Sequence, residues 1–153
     1  MAKSSVLSMT IAGALIAALP FAASAQSAFA KKEDAIKYRQ SAFALMGAHM
    51  GRIGAVTKGE APFNAAEVQK SAALIATLST LPWEAFGPGT EGGKAKPAIW
   101  KEMDKVKGGA DKFMKAAADL NTAAKSGNLD QIKKAFGATG QTCKACHDSY
   151  KDK

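Results

Sequence analysis

Apolar residues recur every three or four positions over four stretches of this chain, and that period is helical. Between Glu33 and Thr57, Ile36, Phe43, Met46, Met50 and Ile53 line one face. Carried back one turn from Phe43, the same stripe lands on Arg39, a guanidinium where the pattern asks for a core residue. Gly59 to Pro62 interrupts the chain, and Asn64 followed by Glu67 then opens a second helix as a capping box. Its inner face is Val68, Ser71, Ile75, Leu78 and Leu81, and Pro82 ends it. Residues 82–96 hold two prolines, four glycines, Trp83 and Phe86, which reads as a long ordered loop whose aromatics must pack on something. Pro97 suits the first turn of a third helix, in which Ile99, Met103, Val106, Ala110, Phe113, Ala117, Leu120 and Ala124 follow in unbroken four-three alternation. Gly127 is placed to stop it. A fourth helix runs from about Leu129, with Ile132, Phe136, Cys143, His147 and Tyr150 near one stripe.

No stretch alternates with period two. The chain is therefore expected to be all-α, an antiparallel, up-down-up-down four-helix bundle with left-handed packing near about 20°. Composition agrees: 47% apolar and 22% charged residues mark a globular chain of 153 residues, and 7% aromatics is low for a sandwich or barrel. Lys3, an apolar run from Val6 to Ala23 broken by Pro20, and Ala23-Ser24-Ala25 read as a secretory signal peptide over residues 1–25. A membrane anchor is the competing reading, and Pro20 with the small-residue exit weighs against it. Residues 26–153 are then one domain that has no membrane contact after cleavage. The charge of +8 has no basic run interleaved with aromatics, so it describes a solvated, mildly steering surface and no nucleic-acid interface.

Both cysteines and one of the two histidines fall in Cys143-Lys144-Ala145-Cys146-His147, the attachment signature of c-type haem. On a helix the thiols are i and i+3 and His147 is i+4, so all three share a face from which the thiols can bond the macrocycle edge while the imidazole reaches the iron. A thioredoxin-like dithiol would need a strand before the motif. A zinc site would need about four ligands, and beyond these three only His49 and carboxylates remain. A plain disulfide leaves His147 unexplained. Arg39 on its stripe calls for an anionic partner, unless it snorkels from the helix end.

The segments Tyr38-Arg39-Gln40-Ser41-Ala42-Phe43, Met46-Gly47-Ala48-His49-Met50 and Leu81 to Gly93, taken with Cys-x-x-Cys-His, resemble the cytochromes c′, class II c-type cytochromes of bacterial periplasms. The resemblance implies a homodimer of four-helix bundles, each with one covalent haem c, five-coordinate and with histidine as the only protein ligand. It puts the thioethers on Cys143 and Cys146 and the iron on His147. It makes Phe43 the apolar cover of the vacant iron face and pairs Arg39 with a haem propionate. The family commonly has arginine four residues after the histidine. Lys151 stands there in this chain and keeps the charge without the planar fork.

Trp83 and Phe86 are expected to pack on the haem edge or to close the bundle end, and His49, off the Phe43 stripe, to be an exposed helical residue. The dimer is expected through Ala44, Gly47, Ala48 and Gly51. The resemblance implies periplasmic binding of NO or CO, with NO handling as the role. The alternative is a low-potential electron carrier with a redox partner protein, with or without a methionine such as Met46 as sixth ligand. No Ser-His-Asp set, paired-acid site or phosphate-cradling loop is present, and no acid–base residue lies near Phe43 in the sequence, so no enzymatic activity is expected.

Overall fold

A computed structural model describes residues 28–153, and the expected signal peptide over 1–25 lies outside the described residues. Helix α1 spans Lys32–Thr57, α2 Ala65–Leu78, α3 Ala98–Lys101, α4 Met103–Ser126 and α5 Leu129–Tyr150, with a 3-10 helix at Pro82–Phe86. The boundaries follow local chemistry. Asn64 accepts hydrogen bonds from the amides of Ala66 and Glu67, and Asn128 accepts from Gln131, so both side chains cap otherwise unpaired donors. Gly127 closes α4 at φ +67°, a left-handed turn that a β-carbon would oppose.

The four long helices form the bundle. Each packs on the next in sequence, and α5 returns to α1. Ile53 of α1, Val68, Ala72 and Ile75 of α2, Ala117, Leu120 and Ala124 of α4 and Ile132 of α5 meet in one buried cluster. These are the stripe positions of the heptads, with alanines filling the narrow parts between helices. Buried Thr139 ties α5 to α4 through the carbonyl of Ala116 at 3.1 Å. Among the described residues no helix is long and apolar enough to cross a membrane.

Two expectations change. The third helix is not continuous: it breaks at Glu102, whose φ of −122° and ψ of 37° leave the helical region. The apolar stripe runs through this break undisturbed, and the Glu102 side chain accepts a hydrogen bond from Tyr150 of α5. The second helix ends at Leu78, and Ser79 to Leu81 form a turn before Pro82. The loop over 82–96 is ordered at both ends. Its 3-10 helix packs on α1, and Ala95 forms an antiparallel bridge with Lys151, just past α5.

This core makes Leu120 a sensitive position, since it is 0% exposed at the centre of the cluster. Leu120→Ala is expected to cost about 2–5 kcal/mol in denaturant unfolding of the protein. A loss under about 1 kcal/mol would mean that the helices do not converge there.

Candidate functional site

The final turns of α5 carry the motif. Cys143 and Cys146 are both half-buried free thiols, and His147 reaches solvent on the next turn. Burial pushes both thiols up from their ordinary pKa, and Cys143 raises Cys146 further. They are therefore protonated at neutral pH. The His147 pKa is lowered, first by partial desolvation and then by the charge of Lys151, with Asp148 opposing. A neutral imidazole with a free lone pair is the form that ligates a metal. Lys144 and Asp148 pair one turn apart on the exposed side of the helix. Among the described residues no three His, Cys, Asp or Glu side chains gather to hold a metal ion, so the zinc alternative lacks its ligand set.

Next to this helix end stands an aromatic wall. Phe86, Ile99 and Val106 are buried, with Phe43, Trp83, Ala95, Trp100, Met103 and Tyr150 packed against them. Phe43 meets Trp83 edge-on at 5.9 Å and Phe86 at 6.3 Å, while Trp83 and Phe86 stack at 6.3 Å. The polar handles are occupied. Trp83 donates its indole N–H to the Ser79 carbonyl at 2.6 Å, and Trp100 donates to Gly87 at 3.0 Å. What the rings leave is apolar surface.

Arg39 lies beneath this wall, 3% exposed, and it has not snorkelled. Its Nη1 donates to the carbonyls of Ala85 at 2.6 Å and Thr90 at 2.7 Å, and Nη2 to Gly92 at 2.9 Å. The guanidinium also lies 4.7 Å from the Phe86 ring centroid and 5.5 Å from that of Trp100. Three carbonyl dipoles of the glycine-rich loop thus hold part of the guanidinium for which the stripe called for an anionic partner. Three of its five N–H groups are engaged, and two remain for an anion. Burial lowers the Arg39 pKa while Glu91 pulls it back, and an arginine so placed stays charged. The loop lies tight on α1: a β-carbon on Gly93, at φ +63°, would stand 2.9 Å from Gln40 Nε2 and 3.2 Å from Ile36.

The remaining candidates are placed as follows. Phe43 is half-buried, so its truncation costs less than the about 3–5 kcal/mol of an enclosed ring. Met46 is buried one turn further along α1. His49 departs from its expected exposure: it is half-buried and its Nδ1 lies 3.3 Å from Ser71 Oγ, which joins α1 to α2. Burial, Arg52 and Lys70 all lower its pKa. The Lys151 side chain is exposed while its backbone pairs with Ala95. Ala44, Gly47, Ala48 and Gly51 are all exposed on α1, beside Leu45 at 52%. Trp100 escaped the sequence reading. It sits off the third helix's stripe, between Ile99 and Lys101.

Paired half-buried thiols on one helix face, an apolar aromatic wall and a buried cation with two free donors fit a large flat macrocycle bearing carboxylates. They are the residues that would hold a haem. Because Arg39 organises this loop, Arg39→Lys is expected to lower stability by about 2–4 kcal/mol in urea unfolding, since a single ammonium leaves buried carbonyls unpaired. A change under about 0.5 kcal/mol would show that the loop does not depend on the fork.

The comparisons with known proteins agree with this geometry. A family model described as Cytochrome C′ matches residues 34–151. The cytochrome c′ of Alcaligenes xylosoxydans xylosoxydans is 50% identical over 125 residues, which cover 82% of this chain and 98% of that protein. That of Rubrivivax gelatinosus is 50% identical over 128 residues, covering 82% of this chain and 99% of its own. Among solved structures, the nitric oxide complex of a mutant of cytochrome c prime from Alcaligenes xylosoxidans aligns with a TM-score of 0.79 at 50% identity, over 82% of this chain and 98% of that one. The Rubrivivax gelatinosus cytochrome c′ crystal structure gives 0.78 at 50% identity, over 81% and 99%. With only two cysteines in the chain, both in Cys-x-x-Cys-His, covalent haem c has one pair of thiols to join, and the chain belongs to the cytochrome c′ family.

Proposed function

We propose that this protein binds uncharged diatomic gases, NO above all, at a haem iron whose one protein ligand is His147, and that it does so in the periplasm after removal of residues 1–25. Bound haem would supply an iron centre able to take NO or CO on the face that histidine leaves open. The observation that carries the reading is Phe43, a side chain with no donor atom, whose ring partners Trp83 and Phe86 bring no acid or base either. Rings of this kind exclude water and bulky ligands and leave small uncharged molecules to compete by size. The role is therefore binding and sequestration, with no catalytic acid–base step. The nitric oxide complex of the Alcaligenes xylosoxidans relative supports the same ligand class.

The other residues take supporting parts. His147, with its pKa lowered, is available as a neutral ligand, whereas His49 is already engaged with Ser71. The two free N–H groups of Arg39 are available to a propionate, whose negative charge would neutralise the buried guanidinium. The thiols of Cys143 and Cys146 form the covalent tethers. Lys151, beside the histidine, holds a positive charge near the proximal side and lacks the planar fork that could hydrogen-bond a ligand there. Two copies associate through α1 and α2, where Ala44, Gly47, Ala48 and Gly51 allow close helix approach and Leu45 and Leu74 supply apolar area.

A ferrous absorption and resonance Raman spectrum tests the central part. Five-coordinate, high-spin iron is expected, and Phe43→Ala should speed CO and NO association at a stability cost of about 1–3 kcal/mol for a half-buried ring. Met46→Leu should leave the spectrum unchanged. A low-spin, six-coordinate ferrous protein, or a sixth site freed by Met46→Leu, overturns the reading in favour of the electron carrier. Sedimentation should give a dimer, and a monomer at high micromolar protein removes the proposed interface.

A further inference from the structure

The last turn of a helix ordinarily frays, opening at almost no free-energy cost. His147 stands only three residues before the end of α5, on the same face as Tyr150. Yet this end is held from several directions. Tyr150 Oη donates to Glu102 Oε2 at 2.8 Å, reaching the corner where α3 breaks from α4. Lys105 Nζ is the second partner of that carboxylate, at 3.3 Å. The Tyr150 carbonyl accepts from the amide of Lys96 at 2.9 Å, and the amide of Asp152 donates to the Lys94 carbonyl at 2.9 Å. The amide of Lys151 donates to the His147 carbonyl at 3.1 Å, which joins the histidine's own peptide to this bridge. The Tyr150 ring meanwhile packs on the Phe86, Ile99 and Val106 cluster.

We infer that Tyr150 and Glu102 form a positioning latch, which fixes the turn carrying His147 against the α3–α4 corner and so sets the approach of the imidazole to the haem. The inference rests on His147 being the axial ligand. The latch explains the helix break at Glu102, which neither a proline nor a lapse in the apolar stripe accounts for. At this corner Tyr150 Oη and Lys105 Nζ meet the same carboxylate oxygen, Glu102 Oε2. Tyr150 is a positioning residue: it acts through the turn that it anchors.

The test uses the haem-bearing protein. Tyr150→Phe keeps the ring in the cluster and deletes the donor, Glu102→Ala deletes the acceptor, and Glu102→Gln keeps an acceptor oxygen while removing the charge. Loss of the bond should speed hydrogen exchange of the Lys96, Lys151 and Asp152 amides about fivefold. The ferrous iron–imidazole stretching band should shift or broaden in Tyr150→Phe and in Glu102→Ala and be restored in Glu102→Gln. Tyr150→Phe combined with Glu102→Ala should be no worse than either alone. A merely structural tie would speed exchange and leave the band in place, so an unchanged band in both Tyr150→Phe and Glu102→Ala overturns the latch. An iron–imidazole band that survives unchanged in His147→Gly instead removes His147 as the ligand, and with it the basis of the latch.

Discussion

A buried guanidinium governs how the site is built. Arg39 lies on the apolar face of α1, where charge is costly unless every donor finds an acceptor. Its acceptors are the carbonyls of Ala85, Thr90 and Gly92, scattered along a loop with four glycines. The same contact thus solves two problems. It engages three of the cation's five N–H groups, and it gives an extended loop a fixed path over α1. Phe86 and Trp100 lie against the guanidinium, so the aromatic wall is positioned by the polar centre behind it.

The bundle supplies the frame on which this arrangement is hung. Its main core, around Ile53, Ile75, Leu120 and Ile132, uses the heptad stripes of all four long helices. The second cluster, around Phe86, Ile99 and Val106, is assembled from the loop, the short α3 and the start of α4, with Tyr150 closing it from α5. The two clusters are therefore held together differently. One is helix packing alone. The other joins aromatic surface, a charged staple and backbone pairing around the haem motif, and it is there that the chain departs from a plain bundle.

What could be read from the sequence follows this division. Helix periods, the Asn64 cap, the Gly127 stop and the Cys-x-x-Cys-His face are local, so residue order alone reveals them. The carbonyl acceptors of Arg39 were not legible, because peptide carbonyls have no signature in residue type. The break at Glu102 was hidden because Ile99, Met103 and Val106 keep their spacing across it, and the bond to Tyr150 spans 48 positions. His49 illustrates the same limit: position on a stripe describes one helix, and its contact with Ser71 belongs to the packing of two. Trp100 and the pairing of Lys94 to Lys96 with the segment after α5 depend on the loop's path, which residue order does not specify.

A crystal structure of the haem-bearing chain would show whether the loop and a propionate share Arg39. Arg39 Nη1 is expected to stay bonded to the Ala85 and Thr90 carbonyls and Nη2 to Gly92, with a haem propionate taking the N–H groups that remain. A guanidinium withdrawn from the loop and paired with the propionate alone would contradict it.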